Sequence, residues 1–277
     1  MDRAPEIKLI ALDLDGTALN EHSRLSEETR SALSEAKKAG VHVVIDTGRP
    51  FCALPEDILN FDAIEYVIVS NGARIVHLPT GKLLHNSCHS PEAIDCLVEI
   101  LKKENFLVEV FTGGHAFMDE YYRTGIEKYG LSTGRNEYLM ATREGVHDIL
   151  GFLSKNREHI ESVLIDFNND ADKARIWELL EKKHICTVTT SMRSNLELGA
   201  LNTSKASGLE VLGELLDIKT ENMMAAGDSP NDLEMLKVAG LSVAMGNASD
   251  EVKDASDYIA PSNIENGVAE AVRRFVL

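Results

Sequence analysis

The residues most able to do chemistry are two aspartates one position apart in the run Asp13-Leu14-Asp15-Gly16-Thr17. The run closes an apolar stretch, residues 7–12, that reads as a buried strand emptying into a glycine turn. Side chains two positions apart on an extended chain point the same way, so the two carboxylates converge. Converging negative groups repel and call for a cation, a shared proton or both. That pairing suits a metal-assisted reaction in which one carboxylate is the nucleophile and the other the acid/base.

Three more polar clusters sit where strands or helices meet loops: Thr47-Gly48, Lys205, and Asp228 with Asp232 in Gly227-Asp228-Ser229-Pro230-Asn231-Asp232. Each alone has an ordinary structural reading. Aspartate before glycine is a turn, Thr-Gly likewise, and a lysine at a helix start is often solvated. Their order along the chain, each at a strand end or helix start, argues for one shared site.

The elements that must position them alternate strand and helix. The strand over residues 7–14 is followed by a helix capped at Ser26, with an apolar stripe of Leu25, Ala32, Leu33 and Ala36, ending at Gly40. Strands over 41–45 and 66–69 follow, each delivering polar residues at its carboxyl end. Strand, helix, strand implies a parallel sheet with right-handed crossovers. From about Arg74 the pattern changes to hairpins (74–77 with 82–85, and 107–111 with 115–118) mixed with helices over 91–105 and 171–183, and strands over 160–167, 186–190 and 196–198. The first texture resumes near Asn202: a helix over 205–216, strands over 223–226 and 241–244, and helices over 233–239 and 267–275. The expected fold is α/β, a Rossmann-like doubly wound parallel sheet over residues 1–81 and 199–277, split by an α+β module over 82–198.

Composition bounds the function. The 277 residues carry a formal net charge of −17, which disfavours nucleic acid or an anionic membrane surface as partner. A small anionic substrate remains compatible, because a bound cation and local donors decide what a pocket sees. The four cysteines show no CxxC spacing and read as reduced thiols of a cytoplasmic protein. His85-Asn86-Ser87-Cys88-His89 lacks a second ligand pair for structural zinc. The polar start Met1-Asp2-Arg3-Ala4-Pro5, with Lys8, Asp13 and Asp15 interrupting the apolar run behind it, reads as neither signal peptide nor membrane span.

Taken together, the motifs resemble the haloacid dehalogenase superfamily in its Cof-type, class IIB sugar-phosphatase-like branch. The DxDGT motif matches Asp13 to Thr17, the threonine motif Thr47, the lysine motif Lys205, and GDxxND Gly227 to Asp232. Val243-Ala244-Met245-Gly246-Asn247-Ala248 and Ser262-Asn263-Ile264-Glu265-Asn266-Gly267-Val268 also match that branch's tail, and the inserted module falls where the branch carries its cap domain. The resemblance implies a Mg2+-dependent phosphatase acting on small phosphate monoesters, with sugar phosphates the expected class, through an aspartyl-phosphate. Asp13 would be the nucleophile and Asp15 the acid/base; Asp13, the main-chain carbonyl of Asp15, and Asp228 would hold Mg2+. Leu14 and Gly48 (through their amides), Thr47, Lys205 and Asn231 would bind the phosphoryl group, and Asp232 would support the metal ligands from behind. Arg49 and Asn71 are candidate contacts to the leaving group. Glu109, Thr112, His115, Tyr121, Tyr122 and Arg123 either line a sugar pocket or cover the module's own sheet.

The chain departs from the branch pattern at Ala206, where glycine usually follows the lysine, at Ala18, where leucine is usual, and at Asp46, where alanine is usual. Asp46 should face opposite Thr47 and be paired behind the site. Expected partners are a small phosphorylated metabolite and at most a second copy of the chain, as monomer or homodimer. Two alternatives stand beside hydrolysis: a phosphomutase using the same aspartate, and a ligand-binding protein that has lost turnover.

Overall fold

Leu9-Ile10-Ala11-Leu12 offers no polar side chain to water, and it forms the fully buried central strand β1 (Leu9–Leu12). The computed structural model describes residues 6–124 and 133–277; the polar start at 1–5 lies outside the described residues. After β1 come α1 (Glu27–Lys38), β2 (His42–Asp46), α2 (Glu56–Leu59), β3 (Ile64–Val69), β4 (Arg74–His77) and β5 (Lys82–Asn86). Ser26 caps α1 by accepting from the Thr29 amide, and Glu27 and Glu28 sit in its first turn, where the helix dipole favours them.

The chain then builds α3 (Pro91–Leu101), β6 (Leu107–Thr112), β7 (His115–Asp119), α4 (Glu120–Thr124), α5 (Thr133–Thr142), β8 (Glu144–Val146), α6 (Ile149–Lys155), β9 (Ile160–Asp166), α7 (Asp170–Lys183), β10 (Thr187–Thr189) and β11 (Asn195–Gly199). It ends with α8 (Lys205–Leu216), β12 (Met223–Gly227), α9 (Leu233–Val238), β13 (Leu241–Ala244), α10 (Asp250–Asp254), β14 (Tyr258–Ile259) and α11 (Gly267–Phe275).

Two compact units result. One comprises the described residues through Arg49, Leu54–Asn86 and Thr203–Leu277; the other comprises Pro50–Ala53 and Ser87–Asn202. In the first, eight strands run in the order β14-β13-β12-β1-β2-β3-β4-β5, parallel from β14 to β3 and antiparallel for β4 and β5. The chain leaves β1 toward β2 and returns on the other side at β12. Right-handed crossovers in opposite directions place their helices on opposite faces. Accordingly, α8 and α9 cover Leu9, Ala11, Val44, Ile68 and Ala225, while α1 and α11 pack together on the other side. This is a doubly wound, Rossmann-like α/β sheet.

The second unit is a six-stranded sheet, β10-β11-β9-β6-β7-β8, antiparallel apart from the β7–β8 pair. Its apolar face, with Val108, Val110, Val163, Ile165, Leu196 and Leu198, packs against Ile94, Leu97, Leu153, Ile176 and Leu180 of the helices. The units change over at 86/87 and 202/203, whereas the sequence suggested 81/82 and 198/199. The reason is pairing: β5 completes the first sheet through β4, and the Thr187 hydroxyl holds the Ala200 carbonyl to the second. Among the described residues no helix is long and apolar enough to cross a membrane.

Candidate active site

A doubly wound sheet binds its ligands at the carboxyl ends of strands where the winding reverses. Here that point lies between β1 and β12, and these strands end at Asp13 and Asp228. The Asp13 amide donates to the Ala226 carbonyl (3.0 Å), carrying the pairing one residue beyond β1. Residues Leu14–Ala18 then form a tight loop, closed by the Leu19 amide on the Leu14 carbonyl (3.0 Å). Gly16 sits in that loop at φ +78°, and a Cβ there would lie 2.4 Å from an Asp228 carboxylate oxygen. Only glycine tolerates both the left-handed backbone and the close approach. Thr17 Oγ1 donates to Asp228 Oδ1 (3.0 Å), so the loop holds the second aspartate as well as presenting the first.

Lys205 opens α8 and is fully buried, with Nζ donating to Asp13 Oδ1 and Asp232 Oδ1, each at 2.6 Å. Its place is set from two sides. Ser204 caps α8 with Ser207 in a reciprocal capping box, which fixes where the helix begins. From the sheet, Ser70, Asn71 and Gly72 follow β3 in left-handed conformations (φ 53°, 51° and 93°), and a Cβ on Gly72 would lie 2.0 Å from the Ser204 carbonyl. Gly208 meets the same turn, where a Cβ would be 2.7 Å from Gly72 Cα. The glycine displaced from the position after Lys205 thus acts one helical turn on, letting helix and turn touch backbone to backbone.

The remaining oxygen of Asp232, Oδ2, accepts from the Asp228 and Ser229 amides (2.9 Å each). Asp232 thus accepts from Lys205 and two main-chain donors. Burial pushes the Asp13 carboxyl well above its usual range; the Lys205 ammonium offsets part of this, and Asp232 and Asp228 add to it. Burial, then Asp232, lifts Asp228 to about 6. Burial opposes the charge on Lys205, yet Asp13 and Asp232 hold its ammonium above its ordinary range. The cluster is one cation among three close carboxylates, and it carries surplus negative charge.

That surplus fits a divalent cation. Asp13, Asp228 and Asp232 each offer an oxygen within 4.8 Å of the others, a hard-oxygen set suited to Mg2+. Asp232 gives its oxygens to an ammonium and two main-chain amides, whereas among the described residues Asp228 accepts only from the hydroxyls of Thr17 and Ser229, so Asp13 and Asp228 are the carboxylates that a cation would engage most readily.

Thr47 is buried just past β2, its amide on the Ile68 carbonyl (2.9 Å) and its hydroxyl accepting from the Arg49 amide (3.2 Å). The structure gives Arg49, the two asparagines and Asp46 surroundings that the sequence did not indicate. Arg49 forks onto Asp15, Nε to Oδ2 at 2.7 Å and Nη2 to Oδ1 at 2.5 Å, so the leaving-group candidate is paired with the acid/base candidate. Asn71 is buried and accepts from Asn231 Nδ2 (3.1 Å), so both asparagine candidates are engaged with each other. Asp46 should be paired; it is fully buried, and among the described residues neither of its oxygens has a hydrogen-bond partner.

Two contributors carry no role in the sequence reading. Asn247 Nδ2 donates to the Gly16 carbonyl (2.8 Å) and Asn263 Nδ2 to the Leu19 carbonyl (2.7 Å), while the Asn263 amide donates to Asn247 Oδ1 (3.0 Å). These asparagines tie the Asp13 loop to the C-terminal segment, and the only sequence signal for them is the tail motif in which they lie. In the second unit the pocket candidates bond locally: Glu109 pairs with buried Arg143 (2.6 Å), Thr112 donates to the His159 carbonyl (2.7 Å) and His115 pairs with Glu144 (2.9 Å). Tyr122 donates to Asn105 (2.5 Å) and Arg123 to the Arg143 carbonyl (3.1 Å), whereas Tyr121 is exposed. His89, from the zinc-like segment, is buried with Nε2 on the Leu198 carbonyl (3.0 Å). Among the described residues none of the four cysteines is in a disulfide.

Comparison with known proteins places this arrangement. The family described as haloacid dehalogenase-like hydrolase matches residues 10–272. Two Bacillus subtilis proteins align over nearly their whole length. The 5-amino-6-(5-phospho-D-ribitylamino)uracil phosphatase YcsE is 34% identical, covering 98% of this chain and 97% of that protein. Phosphatase YwpJ is 32% identical, covering 98% of this chain and 100% of that protein. Among solved structures, a haloacid dehalogenase-like hydrolase from B. subtilis superposes with a TM-score of 0.86 at 28% identity, covering 96% of this chain and 99% of that one. A HAD subclass IIB sugar phosphatase shares the fold with a TM-score of 0.80 at 21% identity, covering 97% of this chain and 98% of that one.

Proposed function

Because the chain belongs to the haloacid dehalogenase-like hydrolases, as a Cof-type phosphoric monoester hydrolase, we propose that it hydrolyses small phosphate monoesters, sugar phosphates foremost, through a phosphorylated Asp13. The observation that carries the reading is Asp13 itself: it is anchored at the reversal point of the sheet, 2.6 Å from the Lys205 ammonium and grouped with Asp228. The phosphatase names of the relatives and the sugar phosphatase fold neighbour support the substrate class.

In this reading Asp13 attacks phosphorus, forming an Asp13–phosphoryl bond as the ester P–O bond breaks. Asp15 gives the leaving oxygen its proton and later takes one from the water that releases phosphate. Asp13, Asp228 and the main-chain carbonyl of Asp15 would hold Mg2+, which when bound supplies the charge neutralisation that lets an anionic carboxylate approach an anionic ester. Lys205, Thr47 and the amides of Leu14 and Gly48 bind the phosphoryl oxygens. Arg49, forked onto Asp15, orients the acid/base group. Asn231, bonded to Asn71, stays beside the phosphoryl site as a candidate donor. A small phosphorylated metabolite is the expected partner, and cysteines kept as thiols fit a reducing, cytoplasmic setting.

The test is release of inorganic phosphate from p-nitrophenyl phosphate and a panel of sugar phosphates, with and without Mg2+. We expect Mg2+-dependent release that falls by about 10³-fold or more in Asp13→Ala. Wild type no faster than Asp13→Ala would overturn the assignment.

A further inference from the structure

Asp46 is the last residue of β2, and among the described residues nothing hydrogen-bonds its carboxyl. Val44, two positions earlier, packs with Leu209 and Leu212 of α8. Strand side chains repeat their direction every second residue, so Asp46 faces the start of α8. The charges acting on it agree: Lys205 first, then Asp232, and Asp46 in turn acts on Lys205. Burial pushes its carboxyl well up, which favours the uncharged acid.

Lys205 has room for it. An ammonium carries three N–H donors, and among the described residues two are taken, by Asp13 and Asp232. Asp46 therefore looks costly where it sits. It follows Val43-Val44-Ile45, and a valine would continue that apolar run without burying an unpartnered polar group. Sites that give up stability in this way are typically functional ones.

We propose that Asp46 is a positioning residue for Lys205, a buried polar floor that takes the third N–H of the ammonium while Asp13 is engaged with phosphorus. The inference rests on the phosphatase reading above. When Asp13 forms its bond to phosphorus and the ester oxygen leaves with the Asp15 proton, the charge that Asp13 offered Lys205 is spent. Asp232 alone would then anchor an ammonium that must still hold the phosphoryl oxygens. Asp46 supplies a second anchor without adding another negative charge that would repel phosphate.

Two variants test this with p-nitrophenyl phosphate kinetics at saturating Mg2+ and thermal unfolding of the metal-free protein. Asp46→Val removes the polar group and should raise Tm by about 2–4 °C. It should also lower kcat about tenfold or more with KM changed less than about threefold, since the contact matters once the Asp13–phosphorus bond forms. Asp46→Asn keeps an uncharged acceptor and should retain kcat within about threefold. A valine variant with wild-type kcat would overturn the proposal, as would an asparagine variant that falls as far as valine, or a valine variant whose loss of kcat follows a lower Tm. Failure of the phosphatase reading is separately visible, because wild type would then turn over no ester while the Tm shift could still be measured.

Discussion

Replacing Asp232 by asparagine removes one charge and very little shape, yet it should be among the most damaging substitutions in the first unit. The carboxylate is fully buried and accepts from three donors, Lys205 Nζ at 2.6 Å and the Asp228 and Ser229 amides at 2.9 Å. Asparagine has one oxygen and one NH2, so its best placement turns the oxygen to the two amides and the NH2 toward the ammonium. That placement forfeits a charge-assisted hydrogen bond, about 1.5–3 kcal/mol, and sets donor against donor. Breaking one side of a buried pair costs about 3–5 kcal/mol in total, which for a chain of this size lowers Tm by on the order of 10 °C. The assay is thermal unfolding followed by circular dichroism, with and without Mg2+. Asp232 is held by an ammonium and two amides while Asp228 accepts from hydroxyls, so Mg2+ should still raise the Tm of Asp232→Asn and should fail to raise that of Asp228→Asn. A Tm loss below about 2 °C, or loss of the Mg2+ effect in Asp232→Asn alone, would refute the account of the trio.

Other consequences can be checked in the same way. Gly16→Ala forces a side chain into a left-handed position and onto the Asp228 carboxylate, so Mg2+ affinity measured by titration should fall by about tenfold or more while Tm drops only a few degrees; unchanged affinity would show that the carboxylate moves freely. Arg49→Ala breaks a fork in which Asp15 is largely exposed, so Tm should move by less than about 2 °C while kcat/KM falls about tenfold; equal kcat/KM would mean that Asp15 needs no such partner. His89 is buried and held down to about 4, against about 6.5 in an unfolded chain. The unfolded state then binds the extra proton between those values, so its contribution to stability is full above about pH 6.5 and is lost as pH falls toward 4, on the order of 3 kcal/mol. Urea unfolding across that window should show this fall in wild type and lose it in His89→Gln; parallel curves would disprove it.

Much of the site could be read in the sequence because the chemistry sits at junctions between periodicities. Apolar runs ending at Asp13, Thr47 and Asp228, the middle one β-branched, mark strand ends, and a helical stripe beginning at Lys205 marks the residue that a cap would present. The first unit's architecture follows from the same alternation. What could not be read depends on partners brought together by folding. Nothing local says that Arg49 forks onto Asp15, that Asn71 and Asn231 bond to each other, or that the asparagines at 247 and 263 hold the Asp13 loop. The hairpin over β4 and β5 was visible, but its sheet was not, because a hairpin's own pattern does not name the strand it joins. Asp46 is the instructive failure. Polar residues at strand ends are ordinarily paired, and its lack of a partner is a property of the assembled core, where Lys205 already bonds to two other carboxylates.

Every role assigned above turns on phosphorylation of Asp13, which chemical trapping can detect. The protein would be mixed with a rapidly hydrolysed phosphate monoester and Mg2+, quenched in acid and reduced with borohydride, which converts an acyl-phosphate aspartate to homoserine. Homoserine is expected at position 13 in the peptide spanning Asp13 to Thr17, dependent on substrate and absent in Asp13→Asn. Unmodified Asp13 under steady turnover, or homoserine at another aspartate, would contradict it.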